Sequence, residues 1–408
     1  MKVKVIDDSM GSFKSSSAIK MMHESKEKSW IAITPYLDEI DVFKNPLSPK
    51  HKRDFLNLSK TIKFHEPSHI GWGKLKSLKE LLVLKKNIAT THALFKYADK
   101  ELIEIIKANN YTLVLDEVME IIHPINIKTK DIKKLMNDGV ISVDDIGVVS
   151  YNDGSEYYSR YEDVISTIKT GRVVSTGESF LLWCFPINAL EAFSDIYILT
   201  YMFEHSLMKA YLDTFDVEYE YFSVDKESYS FKDYQKPDIS KYKALIDIID
   251  SDNLNNIGES KFSLSFNWYN NKNNKNLLKI LRTNLYNYYR YTTKCKSSDF
   301  LWTTFKDKRD KLQSNGYRSN KTFCSHNARA TNIYVNRFVV AYLVNRFVNP
   351  TLVKWFKFKG VNIDQDNYAL SEMVQWIFRS AIRNNKKITL YIPSKRMRDL
   401  LTNWLENS

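Results

Sequence analysis

Short apolar runs alternate with amphipathic segments through the first half of the chain, and this alternation restricts the folds that the chain can adopt. The strand-like runs begin at residues 2, 30, 87 and 112 and read KVKVID, WIAITPYL, NIATTHAL and TLVLDEV. The helix-like segments between them read SSSAIKMMHESKE, SLKELLVL and DKELIEIIKAN. Strands that alternate with helices predict an α/β fold built on a parallel sheet.

The 408 residues are enough for two ordinary domains. We expect a first domain over residues 1–220, interrupted by a small insertion at about 124–175 that contains a short helix and a hairpin. A polar, tyrosine-rich stretch over 221–254 is the expected connection to a second domain over 255–408. In that second domain the pattern predicts strands at FSLSFNWY, FLWTTF and KITLYIP, and helices at NLLKILRTNLYNYY, KDKRDKLQSNG (ending at a glycine cap), 332–347, ALSEMVQWIFRSAIRNN and the C-terminus.

The charge of the chain is divided unequally between its two halves. From Asn255 onward there are 27 Lys and Arg against 9 Asp and Glu, which leaves 33 basic and 39 acidic residues before it, so the net charges are +18 and −6. A basic half beside an acidic half indicates a polyanionic partner for the basic half. Contacts with nucleic-acid phosphates would make such binding sensitive to salt.

Several classes of protein are disfavoured by composition. No run approaches the roughly 18 apolar residues of a membrane span, and the N-terminus lacks the apolar core of a signal peptide. The three cysteines, Cys184, Cys295 and Cys324, lie far apart with no C-x-x-C, so neither a zinc site nor a disulfide framework is indicated. These features predict a cytoplasmic protein with no membrane partner.

The first strand leads into a glycine loop, a Lys-Ser pair and a helix, which is the layout of a phosphate-binding loop. The residues that carry the pattern are Gly11, Ser12, Lys14 and Ser15. Backbone N–H groups at a helix N-terminus face phosphates, a lysine reaches the terminal phosphates, and a Ser hydroxyl helps to hold Mg²⁺. Phe13 stands where such loops usually have glycine.

Two acidic residues, Asp116 and Glu117, close the strand TLVLDEV. An aspartate at this point can hold Mg²⁺, and an adjacent glutamate can orient or deprotonate an attacking water. Acidic pairs at strand ends are frequent in α/β proteins. The pair becomes informative because the phosphate loop precedes it in the same predicted sheet.

A third group of candidates lies in the second half. Gln375, Arg379 and Arg383 are spaced four residues apart, so a continuous helix would place them on one face. A solvated helix face is the simpler interpretation of such a stripe. The second domain, however, has no phosphate loop of its own, and it offers these arginines to the loop of the first domain. That arrangement favours the interpretation of the arginines as arginine fingers.

Together these segments resemble the superfamily-two helicases, and more closely the helicase-like proteins of bacteriophages and prophages, over nearly the whole chain. Ile31 to Tyr36 resembles the family's Thr-Pro motif, and residues 87–94 followed by 114–117 resemble the stretch that leads to its Asp-Glu motif. The resemblance implies two RecA-like domains flanking an NTP cleft. The nucleic-acid contacts it implies are Thr34, Pro35, Thr91, His92, Trp302, Thr303, Arg329 and Thr331.

By this resemblance the chain is an ATP-dependent, nucleic-acid-dependent NTPase that moves on or remodels DNA, single-stranded or forked, in phage replication or recombination. ATP and Mg²⁺ are the implied cofactors, with Lys14 and Ser15 on phosphate and metal, Asp116 on metal, Glu117 on water, and Gln375, Arg379 and Arg383 completing the site. Phe13 departs from the family, as do Val118 and Met119 after the acidic pair and the position of Arg383. Two alternatives stay open: a degenerate helicase that binds nucleic acid without hydrolysis, and a partner of replication proteins.

Overall fold

A computed structural model describes residues 2–51, 53–56, 58, 61–68, 73–152, 160–177, 179–328 and 333–407. Contacts divide the chain into two units. Unit 1 comprises Met1–Asp7, Phe13–Tyr234 and Asn349–Ile363, and unit 2 comprises Asp8–Ser12, Gln235–Val348 and Asp364–Ser408. The change at 234–235 falls inside the stretch predicted to connect two domains.

Unit 1 is organised around a large, mainly parallel sheet. In the described part of the chain its strand order is β13-β12-β1-β11-β5-β2-β4-β3, and only the β12–β13 pair is antiparallel. The strands are β1 (Lys2–Asp7), β2 (Ser29–Thr34), β3 (Phe64–His65), β4 (Asn87–Thr91), β5 (Tyr111–Asp116), β11 (Asp195–Thr200), β12 (Tyr219–Asp225) and β13 (Ser230–Asp233).

Helices connect these parallel strands, as crossover connections require. They are α1 (Lys14–Glu24), α2 (Leu37–Lys44), α3 (Lys74–Val83), α4 (His92–Phe95), α5 (Lys100–Ala108), α8 (Ile187–Glu191) and α9 (Leu207–Thr214). Helix α5 illustrates the local cause: Asp99 accepts a hydrogen bond from the N–H of Leu102, and Leu102, Ile103 and Ile106 form its buried face.

A small subdomain interrupts unit 1 after β5. Its elements are β6 (Ile122–Pro124), α6 (Thr129–Asn137), β7 (Ile141–Val143), β8 (Val149–Tyr151), α7 (Glu162–Lys169), β9 (Val173–Val174) and β10 (Leu182–Cys184). Strands β7 and β8 form the expected hairpin, and the subdomain has its own apolar cluster that includes Ile132, Val149 and Ile168. Helix α15 (Pro350–Phe358) returns from the C-terminal half to contact β6 and α9.

Unit 2 contains a parallel sheet with the strand order β14-β17-β16-β15 in the described residues. Its strands are β14 (Ile246–Ile248), β15 (Phe300–Thr303), β16 (Val339–Tyr342) and β17 (Ile388–Tyr391). Its helices are α10 (Ser240–Leu245), α11 (Asp252–Asn255), α12 (Phe266–Asn270), α13 (Lys275–Asn287), α14 (Arg309–Leu312), α16 (Gln365–Ile377) and α17 (Lys395–Glu406).

The α/β class with large parallel sheets is confirmed, whereas several predicted elements are wrong. FSLSFNWY forms a turn and helix α12 because Ser265 accepts a hydrogen bond from the N–H of Trp268 and caps that helix. The predicted helix over 332–347 contains strand β16 instead, and the predicted connection contains β12, β13, α10 and β14. Helix α14 ends at Leu312, so Gly316 is not its cap. Among the described residues, none of the helices has the length and apolarity needed to cross a bilayer.

Candidate nucleotide site

The loop after β1 is held at its start by buried carboxylates. Asp7, which is 5% exposed, accepts hydrogen bonds from the backbone N–H groups of Met202 and Phe203 at 2.8 and 3.1 Å. Asp8 accepts a hydrogen bond from the N–H of Ser9, and Gly11 has a φ of +84°, a conformation that favours glycine. The loop backbone is therefore fixed before the Lys-Ser pair.

Phe13 adopts the left-handed conformation, with φ 67° and ψ 19°, immediately before helix α1. A residue with a side chain is strained in this region, which explains why glycine is usual at this point of a phosphate loop. The Phe13 ring packs edge-on against Phe55 and Tyr229, with centroids 5.6 and 5.4 Å away. The backbone turn is thus kept although the glycine is absent, and aromatic contacts offset part of the strain.

Lys14 and Ser15 open helix α1, whose first turn contains no acidic residue. The Ser15 hydroxyl donates to the Asp116 carboxylate, at 3.0 Å from Oδ1 and 3.1 Å from Oδ2. The first backbone N–H groups of a helix have no partner within the helix and carry partial positive charge. The structure therefore brings Ser15, the serine of the predicted Lys-Ser pair, and the predicted metal-binding acid Asp116 together within unit 1.

Asp116 and Glu117 lie at the carboxyl end of β5 in a crowded, charged environment. Burial and the neighbouring Glu117 charge raise the pKa of Asp116 to about 6, against the opposing effects of Ser15, Lys14 and Arg53. Glu117 has a φ of 71°, and its N–H donates to the carbonyl of Leu199. Within the described residues its Oε2 is buried without a hydrogen-bond partner, as are the hydroxyls of Ser17 and Thr200.

Orphaned buried oxygens of this kind indicate a place for a ligand. Across the described residues, no three or more His, Cys, Asp or Glu side chains cluster so as to hold a metal ion by themselves. Mg²⁺ does not need such a cage, because it retains waters and is commonly held by one or two carboxylates together with substrate phosphates. The Ser15 and Asp116 oxygens fit that requirement.

Arg53 is a site residue that sequence reasoning missed. It lies between helix α2 and strand β3, and its Nε donates to the Ser16 hydroxyl at 3.1 Å in the first turn of α1. Burial lowers the pKa of Arg53, and the Asp116 charge raises it. The contact joins residues 37 positions apart, and no motif in the sequence marks it.

The predicted nucleic-acid contacts of unit 1 occupy the ends of β2 and β4. Thr34 is fully buried and its hydroxyl donates to the carbonyl of Tyr36, so a direct contact through its side chain is corrected. Pro35 is half-buried beside it. Thr91 accepts a hydrogen bond from the N–H of Leu94 and caps helix α4, and His92 is half-buried at the start of that helix.

In unit 2 the predicted arginine stripe is wrong, because helix α16 ends at Ile377. Gln375 is in the helix, Arg379 follows its end and is 6% exposed, and Arg383 is in a 3-10 turn at Ala381–Asn384. The three side chains therefore do not share one helix face.

The remaining predicted nucleic-acid contacts lie in strand β15 and in the segment after it. Trp302 and Thr303 are fully buried in the strand, so neither has surface with which to contact a nucleic acid, and these two predictions are corrected. Arg329 and Thr331 lie outside the described residues.

A second feature missed from the sequence is a basic groove in unit 2, defined by Lys272, Lys275, Lys279, Arg282 and Lys311. These side chains are exposed and line a surface cavity of about 610 Å³ together with asparagines and Tyr269. Within the described part of unit 2 none of the five forms an ion pair. The spacing 275, 279 and 282 on helix α13 was the available signal, since residues four and seven apart share a helix face.

Comparison with known proteins gives the following relationships. A family model described as the YonV middle domain matches residues 122–183, and one described as the YonV C-terminal Rossmann-like domain matches residues 240–405. A crystal structure of the DUF1998 helicase MrfA bound to DNA and AMPPNP is similar over 100% of this chain and 48% of that chain, with 7% identity and a TM-score of 0.37.

The chain is also 40% identical over 426 residues to the SPbeta prophage-derived uncharacterized protein YonV of Bacillus subtilis (strain 168), across 100% of this chain and 99% of the relative. Identity at that level over the full length of both proteins indicates common descent and a common fold. The chain therefore belongs to the YonV family.

Proposed function

We propose that this protein is a nucleic-acid-dependent NTPase that binds ATP and Mg²⁺ at the loop after β1 and remodels DNA. The observation that carries the proposal is the 3.0 Å hydrogen bond from Ser15 to Asp116, beside Lys14 at the start of helix α1. A hydroxyl and a carboxylate in contact next to a lysine and a helix N-terminus are the groups that bind a metal–triphosphate.

Each residue then has a defined task. Gly11 and the N-terminus of α1 present N–H groups to the phosphates and Lys14 neutralises their charge, whereas the N–H of Ser12 donates to the carbonyl of Ser9. Bound Mg²⁺ supplies charge neutralisation at the terminal phosphates. Asp116 and Ser15 hold their oxygens ready for that ion, and they already lie in contact with one another.

Glu117 is the residue that we assign to the attacking water. Its Oε2 has no hydrogen-bond partner among the described residues, so that oxygen is available to accept a proton from water. The roles of Gln375, Arg379 and Arg383 in completing the site stay predictions.

The basic groove supports the nucleic-acid part of the proposal. Five exposed cations line one cavity without an acidic residue among them. Such a surface attracts phosphates and releases their counterions. The origin of the relative, a prophage, is consistent with a role in phage replication or recombination, alone or with replication proteins.

The first experiment measures ATP hydrolysis with and without single-stranded DNA. We expect DNA to stimulate the wild type, and we expect Lys14→Ala and Asp116→Asn to abolish turnover because each removes a phosphate or metal contact. Glu104→Ala, an exposed substitution on helix α5, is the control. Turnover of Lys14→Ala equal to that of the wild type would refute the proposal.

The second experiment measures the binding of single-stranded DNA over a range of salt concentrations. Lys275→Glu/Lys279→Glu reverses two groove charges, and Lys386→Glu/Lys387→Glu reverses two exposed charges elsewhere in unit 2. We expect the groove variant alone to lose most of the affinity and to have a shallower salt slope. Equal losses in both variants would show that the groove has no special role.

Phe13 favours a second candidate, a YonV-family protein that binds nucleic acid and nucleotide but does not hydrolyse the nucleotide. Its ring is 41% exposed at the point where the loop backbone must approach the phosphates. Hydrolysis by the wild type distinguishes the candidates, since the second predicts nucleotide binding without turnover. Under that candidate, Phe13→Gly restores measurable turnover.

A further inference from the structure

Arg53 lies beside the candidate nucleotide site and uses only one of its hydrogen-bond donors on a described residue. Its Nε donates to the Ser16 hydroxyl at 3.1 Å, and the structure records no other hydrogen bond or ion pair from its guanidinium to a described residue. The side chain is half-buried. A guanidinium has five N–H donors, and burying a charge without partners is costly.

The position of Arg53 is fixed by the helix that carries the phosphate loop. Ser16 is 4% exposed and directly follows Ser15, which contacts Asp116. Lys14 and Arg53 both act against the rise in the pKa of Asp116, so the two cations lie near the same carboxylate. Anchoring through Nε leaves the two terminal nitrogens, the pair that binds oxyanions in a bidentate manner, for a ligand.

The chemistry of the site identifies that ligand. In the proposed function Lys14 and the helix N-terminus would hold the phosphates, and Ser15 and Asp116 would hold Mg²⁺ beside the terminal ones. A planar fork near Asp116 suits the three oxygens of a terminal phosphate. Arg53 belongs to unit 1, as do Lys14, Ser15 and Asp116.

We propose that Arg53 binds the terminal phosphate of the nucleoside triphosphate, so that unit 1 itself distinguishes triphosphate from diphosphate. This inference rests on the proposed function. It adds a residue that selects between the nucleotide before hydrolysis and the nucleotide after it, and it gives the Ser16 hydroxyl the role of positioning that residue.

The test compares the affinities of the full-length protein for a nonhydrolysable ATP analogue and for ADP, both with Mg²⁺, by calorimetry. For Arg53→Ala we expect a loss of about 10- to 100-fold for the triphosphate and less than about 2-fold for ADP, because hydrogen bonds to charged groups contribute at that level. For Arg53→Lys we expect a smaller loss, since a charge remains but the fork does not. Arg160→Ala, at an exposed arginine of the same unit, is the control and leaves both affinities unchanged.

If Arg53→Ala fails to fold, Ser16→Ala still tests the inference, because it removes only the hydroxyl that accepts the hydrogen bond from Arg53 Nε. We expect it to weaken triphosphate binding selectively and by less than Arg53→Ala does. Equal losses for triphosphate and ADP in the arginine variants, or no loss in either, would overturn the inference. Triphosphate binding that persists unchanged in Lys14→Ala would instead refute the proposed function, so the two failures are distinguishable.

Discussion

The strained backbone at Phe13 makes a quantitative prediction about stability. Replacing Phe13 by Ala keeps a side chain in the left-handed region, whereas replacing it by Gly removes the strain. The left-handed conformation destabilises a residue with a side chain by about 1–2 kcal/mol, and glycine avoids this strain. Glycine also has more conformational freedom in the unfolded chain, which offsets about 0.5–1 kcal/mol of that advantage. We therefore expect Phe13→Gly to be more stable than Phe13→Ala by about 1 kcal/mol.

Both variants also lose the two edge-on ring contacts, with Phe55 and Tyr229. Each aromatic pair contributes about 0.5–1.5 kcal/mol, so the wild type stays the most stable of the three proteins. For a unit of this size, 1 kcal/mol corresponds to about 2–4 °C in the midpoint of thermal unfolding. Differential scanning calorimetry of the three full-length proteins measures this difference.

A control pair of substitutions at Glu104 should show the opposite order of stability, with the alanine variant more stable than the glycine variant. Glu104 is exposed in the middle of helix α5, where glycine is less favourable than alanine by about 1 kcal/mol. Glu104→Gly should therefore unfold at a lower temperature than Glu104→Ala. If Phe13→Ala unfolds at the same temperature as Phe13→Gly or above it, while the Glu104 pair behaves as expected, the backbone argument is wrong.

Three further predictions concern other parts of the chain. The pKa of Asp116 is raised to about 6, so the folded state binds this proton more tightly than the unfolded state does. The stability that the proton contributes is complete below about pH 4 and is lost as the pH rises through 6. Asp116→Asn should remove that loss from melting curves recorded between about pH 4 and 8. Removing Glu372 should destabilise unit 2 by about 3–5 kcal/mol in urea unfolding, because it leaves the Arg346 guanidinium buried without its ion-pair partner. Gly258→Ala should prevent stable folding, detected as loss of a cooperative melting transition, because its Cβ would lie 1.5 Å from the carbonyl oxygen of Pro393.

Each of these predictions has its own contrary result. A melting difference between wild type and Asp116→Asn that does not vary with pH would show that this carboxyl does not titrate differently on folding. A loss for Glu372→Ala no greater than that for Asp399→Ala, which breaks an exposed pair with Lys395, would contradict the burial argument. Gly360→Ala, whose Cβ meets no atom within 4 Å and which is strained only by a φ of +80°, should cost less than Gly258→Ala.

The sequence predicted the first sheet well because its strands and helices have distinct periods. Strand β1, helix α1 and strand β5 were predicted where they occur, together with the order that brings Ser15 to Asp116. Two residues a hundred positions apart could be paired because the carboxyl ends of parallel strands meet at one edge of a sheet.

The second half was harder for identifiable reasons. Strand β16 is paired on both sides in a parallel sheet, so its apolar run could not be distinguished by periodicity from a buried helix. Helix α16 is buried over Tyr368–Ile377 and ends without glycine or proline, so the four-residue spacing of Gln375, Arg379 and Arg383 was misleading. Arg53 depends on a tertiary contact with Ser16 that leaves no local pattern.

Residues 235–348 separate helix α15 from the main part of unit 1 along the chain, yet the helix buries Leu352, Trp355 and Phe356 in that unit. A fragment that stops near residue 234 lacks these side chains and leaves apolar surface of the subdomain and of α9 uncovered. During synthesis, unit 1 cannot complete its apolar core until the ribosome has also made residues 235–348, which form most of unit 2. Separately expressed halves should consequently aggregate, and a split version should recover solubility only when the piece with α15 is supplied as well.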